Sequence, residues 1–314
     1  MLIIDNTSTN PYFNIALEEY LLKESKEDIF MLYVDDPSII VGKHQNTLAE
    51  INYKQIQENK IAVVRRISGG GTVYHDKGNL NFTFIANGKE GHMVDFKRYT
   101  EPIIQVLRSI GIDVKLEGKN DLRVNNLKIS GNAEHVFRNR VLHHGTILVS
   151  ANLENLSAAL KVDPTNYTDK AVKSIRSKVA NINSFLKTPI SVIELKTSIF
   201  KAIQELHISE NYSITENDSE KVKRLITEKF STWQWNYAYS PKYEFRNSDI
   251  VNGENTEIYL EVENGIIKDA KITNNQELQE LVTGCNHEFN NILEQITKLK
   301  STKANSNELV WCFF

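Results

Sequence analysis

At 314 residues, 40% apolar and 25% charged, the chain has ordinary globular composition and enough length to bury a large core beside a smaller companion domain. Its formal net charge of −3 lacks the basic excess of a general nucleic-acid or membrane-surface binder. Two cysteines, Cys285 and Cys312, suit a reducing compartment and supply neither a disulfide framework nor a CxxC metal site.

No apolar run approaches the ~20 residues of a membrane helix, and the Met-Leu-Ile-Ile-Asp start has no basic segment followed by a long apolar stretch. A cytoplasmic protein with no secretory leader is expected. Asn10-Pro11 can cap and open a helix, after which Phe13, Leu17, Tyr20 and Leu21 fall at helical spacing. Met31–Val34 and Ile39–Val41 read as short strands on either side of the Asp36-Pro37 turn. Gly42-Lys-His-Gln-Asn46 follows a strand end with a cation and two amides, and its place just upstream of the next motif makes it a candidate pocket wall.

That motif runs from Arg65 to Phe84. Ile61–Val64 is an apolar strand entering it, and Asn79–Ile85 alternates polar and apolar as a half-buried strand leaving it. Between them Gly69, Gly70 and Gly71 allow positive φ and close approach of a ligand to the backbone, with N–H groups free to face an anion. Arg65 and Arg66 point to opposite faces of the entering strand, and Arg66, the nearer, is the one expected to lean over the loop. His75, Asp76, Asn79 and Asn81 follow at once, which a merely mobile turn does not explain. Neither GxGxxG spacing nor a Gly-Lys-Ser/Thr ending is present, so the common nucleotide-loop families are disfavoured.

Phe96–Ile110 carries Ile103, Ile104, Leu107 and Ile110 on one helical face and stops at Gly111. Ile112–Leu116 reads as a strand, and Asp121–Val124, Asn125-Asn126 and Leu127–Ser130 as a hairpin. Alternation on its second strand places Lys128 with Ser130, away from Leu127 and Ile129. A second hairpin returns through Val141–Val149, bringing His143 and His144, which lack zinc-type company and read as structural histidines. Val162–Lys170 has no hydrophobic period and reads as a long loop, leading into Lys173–Asn181, where Lys173, Arg176 and Lys178 bracket two serines. That run serves equally as a solvated face or an anion-binding segment.

Helices are predicted over Ser191–Leu206 and about Ser219–Phe230, followed by an aromatic cluster from Trp233 to Tyr237 that suits a core or a domain seam. Asn264-Gly265 between Glu257–Glu263 and Ile266–Thr273 is a strong hairpin signal, with short helical patterns at Glu277–Val282 and His287–Leu299. The fold class expected is α+β, with mixed and antiparallel sheets flanked by helices. Residues 1–244 would form the catalytic domain and 245–314 a small α+β accessory domain.

Together these motifs resemble the lipoate–protein ligase family. The resemblance covers most of residues 1–243. It rests on Asn14–Leu21, Pro37–Asn46, Arg65–Phe84, Asn120-Asp-Leu through Lys128-Ile-Ser-Gly-Asn-Ala133, His143-His-Gly-Thr146, Ser174–Asn181 and Trp233–Pro241. The Arg-Arg-x-Ser-Gly-Gly-Gly run through His75-Asp76 and Gly78-Asn79 is the most specific part, and the lysine before Ile-Ser-Gly the next. Ala238 departs from the glycine common at that point, and the last 70 residues match loosely.

What the resemblance implies is a biotin/lipoate ligase-like catalytic domain that joins lipoate to ATP as lipoyl-AMP, then passes the acyl group to a lysine ε-amine. Acceptors would be lipoyl-domain proteins, an E2 subunit of a 2-oxo acid dehydrogenase or an H-type carrier of glycine cleavage. Joining a carboxylate to a phosphate brings two anions together, and a fixed cation with aligned N–H donors offsets their repulsion. Lys128 is the candidate cation. By the same resemblance Arg66, Ser68, Gly69, Gly70, His75 and Asn79 would hold lipoate with Lys128. Arg66, Gly71, Thr72, Val73, Tyr74, Lys128, Arg176 and Lys178 would hold ATP or the adenylate, the loop from about Asp163 to Val179 closing over it. Mg2+ is the implied metal, with Asp121 a candidate ligand, and a monomer binding neither nucleic acid nor membrane is expected. Related acyl transferases use a cysteine, and none precedes Cys285. The rival of another class is a non-catalytic lipoate-binding or acceptor-docking paralogue.

Overall fold

The computed structural model describes residues 1–88, 93–160, 162–251, 253–299 and 306–314. They fall into two compact units, Met1–Lys43 with Ala62–Ser157 and Ile175–Ser231 in one, and His44–Ile61 with Ala158–Ser174 and Thr232–Phe314 in the other. The units interleave along the chain rather than meeting at one cut. No helix among the described residues is long and apolar enough to cross a membrane.

In chain order the strands of the first unit are β1 (Leu2–Asp5), β2 (Ile29–Tyr33), β3 (Ser38–Val41), β4 (Ala62–Arg65), β5 (Val73–His75) and β6 (Asn79–Asn87). They continue as β7 (Lys115–Glu117), β8 (Asp121–Val124), β9 (Leu127–Phe137) and β10 (Arg140–Leu148). After β11 (Tyr167–Asp169), which belongs to the second unit, comes β12 (Glu210–Asn211). One eight-stranded sheet runs β12-β1-β2-β6-β10-β9-β8-β7, and a separate small sheet runs β4-β3-β5. The large sheet is parallel across β12, β1 and β2 and antiparallel beyond. The strand expected over Ile112–Leu116 shrinks to β7, because Ile112 and Val114 go instead into the core behind it.

One face of the large sheet is apolar. Leu80, Phe82 and Phe84 pack with Ile103 and Leu107 of the Phe96–Ser109 helix and with Leu195, Ile199 and Ile203 of the Val192–Leu206 helix. Each such side chain contributes roughly 1.5–3 kcal/mol on burial. The opposite face is polar and just as buried, which corrects the half-buried reading of this strand: Asn79, Asn81 and Thr83 of β6 are at most 1% exposed. Alternation is kept, but the polar side is covered by protein, chiefly the Pro11–Glu24 helix. Asn10 starts that helix by accepting from the amides of Tyr12 and Phe13, with Pro11 in the first turn where no N–H is missed. Pro11 and Asn14 to Leu22 are all buried, so the helix has little solvent side.

The second unit holds an antiparallel sheet, β11-β13-β14-β15, with β13 at Tyr243–Val251, β14 at Glu254–Glu263 and β15 at Ile266–Ile272. Asn264 and Gly265 take φ of 53° and 73°, the positive values a tight hairpin requires. β11 lies within the stretch predicted as loop. Its pairing with β13, a partner some 75 residues on, supplies the order that its own sequence does not.

Candidate functional site

The glycine loop joins β4 to β5, which flank β3 on its two sides, so it arches over the carboxyl end of β3. Its feet are fixed by backbone bonds, from Arg66 N to Val41 O (2.9 Å) and from Lys43 N to Ser68 O (2.9 Å). Arg65 is fully buried and donates to the carbonyls of Gly42 and Lys43, both at 3.0 Å. Arg66 does lean over the loop. Its guanidinium donates to the carbonyls of Gly69 and Gly71 (2.7 Å each), to Ile40 O (3.0 Å) and to Ser68 Oγ (3.0 Å). With its donors engaged this way, Arg66 acts here as a clamp that sets the shape of the bend. Of the three glycines only Gly70 has positive φ, 90°, and it is the exposed one, so the backbone turns outward there. Burial pulls the Arg66 guanidinium down to about 10, partly offset by Glu18, and it stays charged at neutral pH.

Beneath the clamp lies a relay of buried groups. Ser68 Oγ is 2.6 Å from His144 Nε2, and His144 Nδ1 is 2.8 Å from Glu18 Oε2. Glu18 Oε1 accepts from Thr83 Oγ1 (2.5 Å) and Tyr33 OH (3.1 Å). Ser68 Oγ thus meets both Arg66 Nε–H and the imidazole, whose other nitrogen, Nδ1, points its hydrogen at the carboxylate. Burial works to raise the Glu18 carboxyl, but His144 and the bonds from His144, Thr83 and Tyr33 outweigh it and hold the group below its ordinary range. His144 and His143 are adjacent on β10 and face opposite ways. His143 turns to the helix side, bonded to Glu134 and stacked 5.9 Å from Phe82.

Lys128 sits on this same polar face, by a route that alternation does not reveal. Across β8 and β9, Arg123 pairs with Lys128 and Leu122 with Ser130, which leaves Ile129 as an extra, unpaired residue. Such a bulge reverses the alternation beyond it. Lys128 therefore shares a face with Gly131 and Ala133 and not with Ser130, which corrects the sequence reading. Ala133 pairs with His144, and a side-chain carbon added at Gly70 would stand 3.9 Å from Ala133 Cβ. The bend thus lies over Ala133, about 7 Å along the strand from Gly131. The Lys128 ammonium pairs with Asp121 Oδ1 at 2.8 Å, and Asp121 Oδ2 takes Arg123 at 2.7 Å. The Lys128 backbone bonds to Lys178 O (2.9 Å) and Ala180 N (3.0 Å), in a parallel bridge at Val179.

Residues 10–204 match the model of the lipoyl protein ligase A/B catalytic domain. Lipoate–protein ligase 1 of Staphylococcus aureus is 41% identical over 305 residues, 94% of this chain and 93% of that protein. This chain belongs to the lipoate–protein ligase family. Among solved structures, P. falciparum LipL1 in complex with lipoate matches at TM-score 0.65 and 25% identity, covering 98% of this chain and 96% of that one. Lipoate-protein ligase A bound with ATP matches at TM-score 0.63 and 29% identity, over 75% of this chain and 96% of that one.

In this lipoate–protein ligase family member, the residues singled out by sequence do not all come together. Arg66, Ser68, Gly69, Gly70 and Gly71 form the bend, and Lys128 shares its face. Thr72, Val73 and Tyr74 lead from the bend into β5, with Tyr74 buried. His75 and Asn79 belong to another buried network: His75 Nδ1 meets Asp35 Oδ2 at 2.7 Å, and Asn79 Nδ2 donates to Asn81 Oδ1 at 2.8 Å. His75 Nε2 and Asn79 Oδ1 have no hydrogen-bond partner among the described residues. Arg176 and Lys178 are exposed, and Lys178 meets Lys128 through its backbone. Asp121 has a cation on each oxygen, a poor arrangement for a magnesium ligand, and no group of three His, Cys, Asp or Glu suited to a metal occurs among the described residues. Sequence reading passed over Glu18 and Tyr33, and its reading of His144 as a satisfied structural histidine agrees with the bonds that imidazole makes to Ser68 and Glu18.

Proposed function

We propose that the chain activates free lipoate with Mg-ATP and transfers the lipoyl group to a lysine of a lipoyl-domain protein. In the first step a lipoate carboxylate oxygen attacks the α-phosphorus, the bond to the β-phosphate side breaks, and pyrophosphate leaves. In the second the acceptor's ε-amine attacks the acyl carbonyl, loses a proton and expels AMP. The observation that carries this reading is the placing of one ammonium, Lys128, on the sheet face that the clamped bend overlies. A cation there offsets the repulsion between carboxylate and phosphate and meets the charge that develops on their oxygens.

In this reading Lys128 is the catalytic cation, and the backbone N–H groups from Gly69 to Tyr74 face the acyl carboxylate and the nucleotide while Arg66 holds their geometry. Arg176 and Lys178 supply positive charge to the phosphates. Magnesium would be carried mainly by the phosphates, which needs few protein ligands. We place the lipoate and nucleotide sites within residues 1–244, give 245–314 an accessory role, and take the protein to work as a cytoplasmic monomer. The acceptor is an E2 or H-type lipoyl domain.

Lys128→Ala is expected to remain folded and to lose lipoate-dependent exchange of pyrophosphate into ATP by at least about 100-fold, the scale seen when a preorganised charge partner is removed. Undiminished exchange in the folded variant rejects the role given to Lys128. Incubating candidate acceptor domains with protein, ATP and lipoate, and reading their mass, identifies the acceptor; no mass gain on any lipoyl domain, with exchange intact, rejects the transfer step.

A further inference from the structure

Gly131 lies in the middle of β9, where a glycine weakens a strand, and its φ is not in the left-handed region. Backbone conformation therefore does not call for a glycine here. Its surroundings do. A side-chain carbon built at Gly131 would lie 2.9 Å from both Cε and Nζ of Lys128, inside any normal contact. Asp121, which pairs with Gly131 directly across the strands, holds the same ammonium at 2.8 Å. The Ile129 bulge turns Lys128 onto this spot, and the bonds to Lys178 and Ala180 fix the backbone behind it.

We infer that Gly131 is a positioning residue: its bare Cα is the floor of a seat for the Lys128 ammonium, with Asp121 as the resting counter-charge from which the amine moves to incoming substrate oxygens. The assignment rests on the catalytic role proposed above for Lys128, and it adds that the seat, and not only the lysine, sets where the charge stands. An added methyl at residue 131 meets the mobile end of a flexible side chain. The lysine yields and the backbone stays. Misplacement of a reacting group by about 1 Å can cost about 100-fold in rate. Asp121→Asn leaves the seat but removes the counter-charge.

The test combines turnover with a stability cycle. In pyrophosphate exchange, Gly131→Ala is expected to lower kcat by about 10- to 100-fold with the KM values for ATP and lipoate changing less than about threefold, since the lost interaction belongs to the transition state. Urea unfolding of wild type, Gly131→Ala, Lys128→Ala and the double variant gives the coupling between the two sites. In the Lys128→Ala background the added methyl meets no amine, so the destabilisation by Gly131→Ala should vanish or change sign. Equal destabilisation in both backgrounds overturns the inference, because the methyl would then collide with something other than Lys128. Unchanged kcat in Gly131→Ala also overturns it. The cycle reads stability alone, so it remains informative even if exchange by Lys128→Ala rejects the catalytic role.

Discussion

Glu18 is a carboxylate at 1% exposure, and it stays charged because His144, Thr83 and Tyr33 all direct polar groups at it. Removing it strands an imidazole, a hydroxyl and a phenol in a dry interior. Glu18→Ala is therefore expected to destabilise the fold by about 3–5 kcal/mol, the range for breaking a buried ionic cluster by deleting one member. Denaturant unfolding monitored by circular dichroism checks the figure, and a loss below about 1 kcal/mol would show that the network is slack. The residues that sequence reading identified with least ambiguity, Arg66 and the glycines, owe this to local rules: adjacent strand residues diverge, and only glycine suits the φ of 90° at Gly70. Glu18 gave no such sign. A glutamate in a helix is commonplace until a strand brings Thr83, 65 residues away, against it.

At the scale of elements, periodicity placed the Pro11–Glu24 and Val192–Leu206 helices, β6 and the hairpin at Asn264-Gly265 close to where they lie, since each follows from repeat and turn chemistry alone. It failed where pairing overrides pattern. β11 exists because β13 accepts it, and the Ile129 bulge lies where the pairing of β8 with β9 shifts register by one residue. In the second unit, His287 ties the chain end to the sheet: Tyr243 OH donates to Nδ1 at 2.6 Å, and Nε2–H donates to Phe313 O at 2.6 Å. Burial pulls this imidazole from 6.5 to about 4. Unfolded chains then take up the proton first as pH falls, so the unit keeps full stability above about 6.5 and loses on the order of 3 kcal/mol approaching pH 4. Trp233, Trp235 and Trp311, all the tryptophans of the chain, lie in this unit and report its unfolding. Urea melts followed by their fluorescence at pH 7 and pH 5 should show the loss, and His287→Gln, which titrates nothing, should flatten it.

For the molecule as a whole, the α+β class and the family could be read from motifs in order, whereas the interleaving of the two units could not, because no periodic signal records which segments return to which body. Cysteine placement could. Cys285 and Cys312 both lie in the second unit, and burial raises both thiols, to about 11 for Cys312, against thiolate chemistry. Alkylation with N-ethylmaleimide is expected to leave pyrophosphate exchange within about twofold of the untreated protein, and Cys285→Ser with Cys312→Ser to behave likewise. An acyl thioester trapped by acid quench from the wild type would contradict adenylate chemistry with direct transfer.

The backbone bridge between Lys128 and the Lys178–Ala180 segment ties the strand that carries this ammonium to a stretch of chain with no helix or long strand of its own. Amide deuteration at Lys128 and at Ala180 should consequently slow or quicken in concert, since opening either bond frees the same ring of donors. A ligand that quiets this segment would also narrow the sweep of the amine, so that, with Lys128 in the role proposed above, tightening of the substrate complex and sharpening of its reactivity would arrive as one event.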